Sequence, residues 1–176
     1  GEAFKINAAW GIYDQFITKS SILDDLGNYR YFWTACNNED IPVLTSYHYI
    51  LGASYNKNDL TVSLEGYFKD VNGLTRYIRN TGINLEGIYQ GYGRSYGMDI
   101  MIKKDYRGHS AWVAYSLGKT EEIFEYFKTD EYRRAPQDQR HELKLAGLAN
   151  LGSFYFSANY IFGSGLPDPS GLPEIT

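Results

Sequence analysis

The chain has a single cysteine, Cys36, which excludes an internal disulfide and a multi-cysteine metal site. It has no run approaching the ~18 apolar residues that a membrane helix needs, and its mean hydropathy is −0.42. That excludes a helical membrane protein. It does not exclude one that crosses with strands, because alternating residues cancel in a hydropathy average. Positive charge is not in excess: 17 Lys and Arg face 21 Asp and Glu, a net charge of −4, so electrostatics give no reason to expect nucleic acid binding. No secretory leader is visible, since Gly1-Glu2-Ala3 runs directly into a strand pattern. No strand pattern follows Leu166–Pro173 either, so the chain reads as mature, trimmed or excised.

What is abundant is aromatic surface. Seventeen Tyr, nine Phe and three Trp make 16% of 176 residues, enough chain for one domain. Tyrosine suits strands and equally suits the aromatic girdles of membrane barrels. A soluble, Tyr-rich all-β domain fits this composition as well.

Periodicity narrows the choice. About seven segments of roughly ten residues alternate polar and apolar side chains. They are 2–13, 46–55, 60–69, 94–104, 110–119, 140–149 and 153–163. The gaps between them alternate in length. Asn56–Asp59, Asp105–Gly108 and Leu151-Gly152 are short, whereas 14–45, 70–93 and 120–139 are long. Short turns at one end of an antiparallel sheet and long loops at the other are the pattern of an outer-membrane barrel. A strand of ~10 residues, tilted ~45°, climbs about 23 Å, close to the ~25 Å apolar band of such a barrel.

Parity sorts the side chains. Phe4, Ile6, Trp10, Leu51, Val62, Leu64, Ile100, Val113, Leu145, Phe156 and Tyr160 fall on apolar faces and are expected to meet lipid. Lys5, Ser63, Glu65, Asp99, Ser116, Lys144 and Asn159 fall on polar faces and are expected to line a lumen. Lys104 and His141 break the parity at strand ends only. Val62→Arg is expected to cost about 2–4 kcal/mol if near the midplane, and Ser63→Arg far less. Parity alone does not choose between lipid outside and a lipocalin-like barrel with its apolar face inward. The small residues and mixed charge signs of the polar face, and the placing of all long loops at one end, favour lipid. An odd strand count leaves open edges that lipid cannot satisfy, so the chain reads as part of a larger barrel. An eighth strand within Ile17–Leu26 or Ile83–Tyr89 is the alternative.

Six segments resemble the later barrel of TonB-dependent outer-membrane receptors, particularly those of Bacteroidetes. They are Ala8–Phe16, Ile41–Leu44 before Tyr47–Tyr55, Gly91–Ile100, Ala111–Thr120, Pro136–Leu143 and Phe156–Pro167. Pro136-Gln137-Asp138-Gln139-Arg140-His141 and Gly163-Ser164-Gly165-Leu166-Pro167 are the most specific. The resemblance implies a twenty-two-stranded barrel around an N-terminal plug and uptake of a scarce nutrient driven through the TonB complex. Plug, TonB box and closing strand are missing from this chain. A passive porin-like or structural barrel and a soluble ligand-binding barrel are the alternative functions.

No catalytic set emerges, and no cofactor is expected. His48, His109 and His141 lack metal-ligand spacing. Gly91, Gly93 and Gly97 do not match a dinucleotide fingerprint and are expected to relieve crowding where a strand begins. Glu65 and Asp99 are expected to be hydrated lumen charges paired with Lys69 or Lys103. Binding belongs in the loops. Arg30, Tyr31 and Trp33 in the first, with Arg76, Tyr77 and Arg79 in the second, combine aromatic platforms with guanidinium forks that suit a siderophore, cobalamin or glycan. Ordinary loop packing is the plainer reading of both. The acidic third loop, with Glu121, Glu122, Glu125, Asp130 and Glu131, reads as a solvated surface.

Overall fold

In a computed structural model the chain is all-β, and residues 3–23, 29–80, 85–127 and 129–167 are described. The strands are β1 (Phe4–Gln15), β2 (Ile17–Leu23), β3 (Tyr29–Ala35), β4 (Leu44–Lys57), β5 (Leu60–Asn80), β6 (Leu85–Tyr106), β7 (His109–Phe124), β8 (Arg133–Arg134), β9 (His141–Asn150) and β10 (Tyr155–Gly163). One 3-10 turn spans Glu125–Phe127. The main path is an antiparallel meander, β1-β4-β5-β6-β7-β9-β10. These seven strands are the seven that the alternation marks. The sheet is open: β1 and β10 each have one neighbour and form its edges.

The tight turns fall where short gaps stand in the sequence. Asn58 (φ 52°) with Asp59 (φ 58°), and Arg107 (φ 47°) with Gly108 (φ 85°), occupy the left-handed region. Two successive left-handed residues match the strand twist in a hairpin, and Asn, Asp and Gly adopt this conformation most readily.

The long gaps 14–45 and 70–93 are largely strand, which corrects the expectation of loops there; 120–139 is mostly turn and loop. β5 has 21 residues and β6 has 22, twice the expected span. The alternation is lost at 70–80 because the register slips between Asn72 and Leu74 and because, beyond the slip, Leu74 and Ile78 pack into a buried nucleus on the side that carries polar residues below. Gly73 is the extra residue, at φ 83°. A Cβ on it would meet Val43 O at 2.6 Å. A bulge of this kind flips the parity beyond it, so a strand continuing straight on no longer reads as one. Ile17–Leu26 does contain a strand, β2, but it is not an eighth wall strand. It pairs with β3 and, in parallel, with β5 through Ser21↔Arg76, Ile22↔Tyr77 and Leu23↔Ile78. β4 begins only at Leu44, opposite β5 just before the bulge, so β2 takes the β5 edge that β4 leaves free.

Register unites the faces that parity assigned strand by strand. One row across all seven strands of the meander is Phe4, Tyr55, Val62, Ile102, Val113, Leu145 and Tyr160. The next apolar row is Ile6, Ala53, Leu64, Ile100, Tyr115, Leu143 and Phe162. Between them, on the opposite face, lies Lys5, Ser54, Ser63, Met101, Ala114, Lys144 and Ile161. Among the described residues no second layer covers the apolar face: Ile6 is 69% exposed and Leu51 63%. The buried nucleus lies at the long-connection end instead, where Ile78, Phe124, Tyr126 and Phe127 pack with Leu74, Tyr89 and Ile123.

Candidate functional site

The long-connection end forms a crown above the meander. Its strands run β3-β2-β5-β6-β7-β8. Past the bulge, Leu74, Arg76 and Ile78 share the polar-face side with Gly91, Glu122 and Phe124, because Leu74 pairs with Gly91 and Gly91 with Phe124. The chain then turns through the 3-10 segment, and Tyr126 and Phe127 close over this surface.

Arg76 is at the centre of that nucleus and is buried. Its guanidinium donates to Glu122 Oε2 at 2.9 Å and to Tyr126 Oη at 2.8 Å, and its Cζ lies 4.3 Å from the Phe124 ring centre. Burial pushes the Glu122 carboxyl above its ordinary range, and the charge and hydrogen bonds of Arg76 partly oppose that. Arg76 is therefore a structural centre with an internal carboxylate. Glu121 and Glu122 are buried too, which corrects the reading of the third loop as wholly solvated. Glu125, Asp130 and Glu131 are exposed.

The other candidate residues separate into groups. Tyr77 donates from Oη to Glu86 Oε1 at 2.5 Å on the opposite side of β5. Arg79 lies at the end of β5, and its side chain is outside the described residues. Arg30, Tyr31 and Trp33 are exposed on β3. Strand alternation places Tyr31 and Trp33 on one face of the β2–β3 hairpin and Arg30 on the other. Lys19, which sequence reasoning passed over, joins the two aromatics: it is the register partner of Trp33, and its ammonium stands 4.1 Å above the Tyr31 ring. The hairpin thus offers a two-ring platform with a cation beside it, able to stack on a flat or sugar-like surface.

Asp138 fastens the third connection. It is 1% exposed and accepts from Arg134 Nε, from Arg140 Nε at 2.7 Å and from the Thr120 amide at 2.6 Å. Burial alone raises its carboxyl, but the hydrogen bonds from Arg140, Thr120 and Arg134 outweigh it and the net shift is downward. This gives a physical reason for the Pro-Gln-Asp-Gln-Arg-His segment.

Neither a family model, nor a curated protein, nor a solved structure matches this chain.

The polar face brings two carboxylates side by side. Glu65 and Asp99 are direct register partners, between Gly52 and Ser116. Lys103 pairs with Asp105 at 3.0 Å and Lys144 with Glu142 at 2.6 Å. Among the described residues neither Glu65 nor Asp99 has an ion pair, so pairing with Lys69 or Lys103 is not what the structure shows. Large side chains on this face lie over glycines. A Cβ on Gly97 would meet Tyr67 Oη at 2.7 Å, and one on Gly118 would meet it at 2.9 Å. Gly91 is covered by Phe124 at 2.6 Å. These glycines relieve crowding as expected, but in mid-strand, since β6 begins at Leu85. Among the described residues no group of His, Cys, Asp and Glu is arranged to hold a metal.

Proposed function

We propose that this chain is a stretch of wall, with its extracellular crown, from an outer-membrane β-barrel, and that the barrel is a TonB-dependent receptor for active uptake of a scarce nutrient. The observation that carries the membrane half is the unbroken apolar rows across seven strands, uncovered on their outer side. A contiguous apolar face of this extent exceeds what a soluble monomer leaves to water. Lipid satisfies it, while Lys5, Glu65, Asp99 and Lys144 on the reverse suit a wet lumen. Tyr49, Phe68 and Tyr96 form an aromatic row near the crown, with centroids 6.2 and 6.4 Å apart, as an interfacial girdle does. The two parity breaks have partners at the strand ends: Lys104 donates to Asn58 O at 2.5 Å, and His141 Nδ1 lies 2.7 Å from Tyr115 Oη.

Seven antiparallel strands leave β1 and β10 running the same way. Joining them to each other makes a parallel seam, so an all-antiparallel closed wall takes an odd number of further strands. That supports a larger barrel. The receptor half of the reading rests on the segment resemblances, of which the Asp138 loop is the best explained.

The test is site-directed labelling. With Cys36 replaced by Ser, single cysteines at Leu64 and Ser63 are treated with a water-soluble maleimide after the chain is placed in vesicles. Label at 63 with protection at 64 that is lost when the vesicles are omitted supports the wall. Protection at 64 that persists in a monodisperse chain without vesicles or detergent points to a soluble binder, and equal labelling in vesicles overturns the face assignment. Uptake by the parent protein that stops when the inner-membrane proton gradient collapses separates the receptor from a passive channel.

A further inference from the structure

We propose that Arg94, Lys119, Arg134 and Arg140, at the crown edge of the apolar face, bind the phosphate of a lipid headgroup in the outer leaflet. The inference rests on the membrane reading above and adds a ligand site to it. Arg94 and Glu121 are register partners, and so are Glu121 and Arg134, so all three are on the face that carries Tyr96 and Met98. The four cations are held by two carboxylates beneath them. Glu121 accepts from Arg94 Nε at 2.9 Å and Nη2 at 2.8 Å and also holds Lys119. Asp138 holds Arg134 and Arg140.

The layering gives the patch its sign. The Glu121 and Asp138 side chains are 7% and 1% exposed, whereas those of the cations are 33–41% exposed. Positive charge therefore faces out and negative charge faces in. Asp70, the register partner of Arg94, is a third carboxylate at the β5 margin, and four cations still exceed three carboxylates. Arg94 and Arg134 each use Nε and Nη2 on internal acceptors, and Arg140 uses Nε. Their remaining guanidinium edges have no protein acceptor among the described residues. Fixed guanidinium edges beside an ammonium suit a phosphate, which accepts two parallel N–H bonds.

Position selects a lipid over a free anion. The cluster stands directly crown-ward of the Tyr49–Phe68–Tyr96 row, and the Lys119 ammonium is 5.9 Å from the Tyr96 ring centre. Aromatic rings of a membrane barrel sit at headgroup level. Just below, on the same face, a shallow groove between Leu51, Leu64, Phe68 and Met98 offers a bed for an acyl chain.

The test uses the full chain in mixed micelles titrated with diphosphoryl lipid A, its dephosphorylated form and inorganic phosphate. The proposal expects at least tenfold tighter binding of the phosphorylated lipid than of the dephosphorylated one. It expects that preference to fall at least fivefold in Arg94→Gln/Lys119→Gln, to weaken in Arg94→Lys, which keeps the charge but loses the guanidinium edge, and to persist in the opposite-face control Lys5→Gln/Lys144→Gln, with circular dichroism unchanged throughout. Equal binding of both lipids, or full preference in the double variant, overturns it. Inorganic phosphate competing at the same concentration as the lipid overturns the choice of a lipid. A chain that enters micelles but shows no phosphate preference refutes the site alone, whereas a chain that stays out of micelles refutes the membrane reading.

Discussion

Arginine placed at Leu64 should be far more costly than arginine at Ser63, one residue away. Leu64 lies in register between Ala53 and Ile100 on the apolar face and is 43% exposed. β5 starts at Leu60. On the proposed membrane reading, with ~3.3 Å per residue and a tilt of ~45°, Leu64 stands about 10 Å above the turn end and Phe68 about 20 Å, which puts Leu64 near the middle of a ~25 Å band. Arginine at that depth costs about 2–4 kcal/mol. Val62, the position that parity alone selects, stands only about 5 Å above the turn, so its cost should fall to about 1–2 kcal/mol. Ser63 points to the polar face between Ser54 and Met101, in the row of Lys5 and Lys144. Arginine there should cost less than about 1 kcal/mol. The 2–3 kcal/mol gap between 64 and 63 corresponds to roughly 30–150-fold in the unfolding constant. Urea titration of the chain folded in micelles measures it, provided the slope is unchanged between variants. Equal costs at 63 and 64, or a larger cost at 63, would refute the face assignment.

Three further perturbations address the polar face and the crown. Gly97→Ala should destabilise by about 1–3 kcal/mol, because its Cβ meets Tyr67 Oη and the Leu117 carbonyl, while Gly66→Ala, with nothing nearer than 3.9 Å, should be within about 0.5 kcal/mol of the parent by the same titration. Arg76→Met and Glu122→Leu should each cost about 3 kcal/mol because each strands a buried charge. The double variant should cost less than either, so additive losses in a double-mutant cycle would show that the pair is not a unit. Asp138→Asn should cost about 1–3 kcal/mol, discounted for its half-exposed arginine partners, and should open the 133–140 segment to protease. The folded-state carboxyl of Asp138 is depressed, so its stabilisation is full above the ordinary carboxylate range and is lost as pH falls through the depressed value. That of Glu122 is raised, so its contribution declines as pH rises from the ordinary range through the raised value. Acid unfolding of the Asp138→Asn variant should therefore be flatter than that of the parent, and an unchanged acid limb would count against the Asp138 assignment.

The wall was legible from residue order because one physical rule governs it. A strand with unlike surroundings on its two faces must alternate, and the seven wall strands do so without knowledge of their partners. Register then brought Phe4, Tyr55, Val62, Ile102, Val113, Leu145 and Tyr160 into one row, which no single strand reveals. The crown was not legible, for two reasons. The bulge at Gly73 reverses parity in mid-strand. In β2 and β3, neither face is a continuous apolar surface, and Tyr31 and Trp33 alternate with Arg30, Phe32 and Thr34. The buried ion pair was hidden for another reason: Arg76 and Glu122 are 46 residues apart, and only the shared β6 brings them together. The signal that was available is the Asn72-Gly73 pair, which marks the bulge; beyond it Leu74 and Ile78 fall on the side that carries Glu65 and Tyr67, so alternation does not resume even when one residue is skipped.

The two parts of the molecule differ in what stabilises them. The meander has hydrogen-bonded ladders but few buried apolar side chains, so its stability depends on what covers the apolar face. The crown holds its own nucleus: Ile78, Phe124, Tyr126 and Phe127 around a satisfied ion pair, with the third connection locked by Asp138. The crown therefore should keep its geometry while the wall below responds to its surroundings. The aromatic β2–β3 hairpin is attached at the side of this crown. Among the described residues β2 joins β5 through three register pairs, at Ser21–Leu23, and β3, which pairs with β2 alone, presents Tyr31 and Trp33. The rings are thus carried on a strand that, among the described residues, pairs with β2 alone, one strand removed from the crown nucleus.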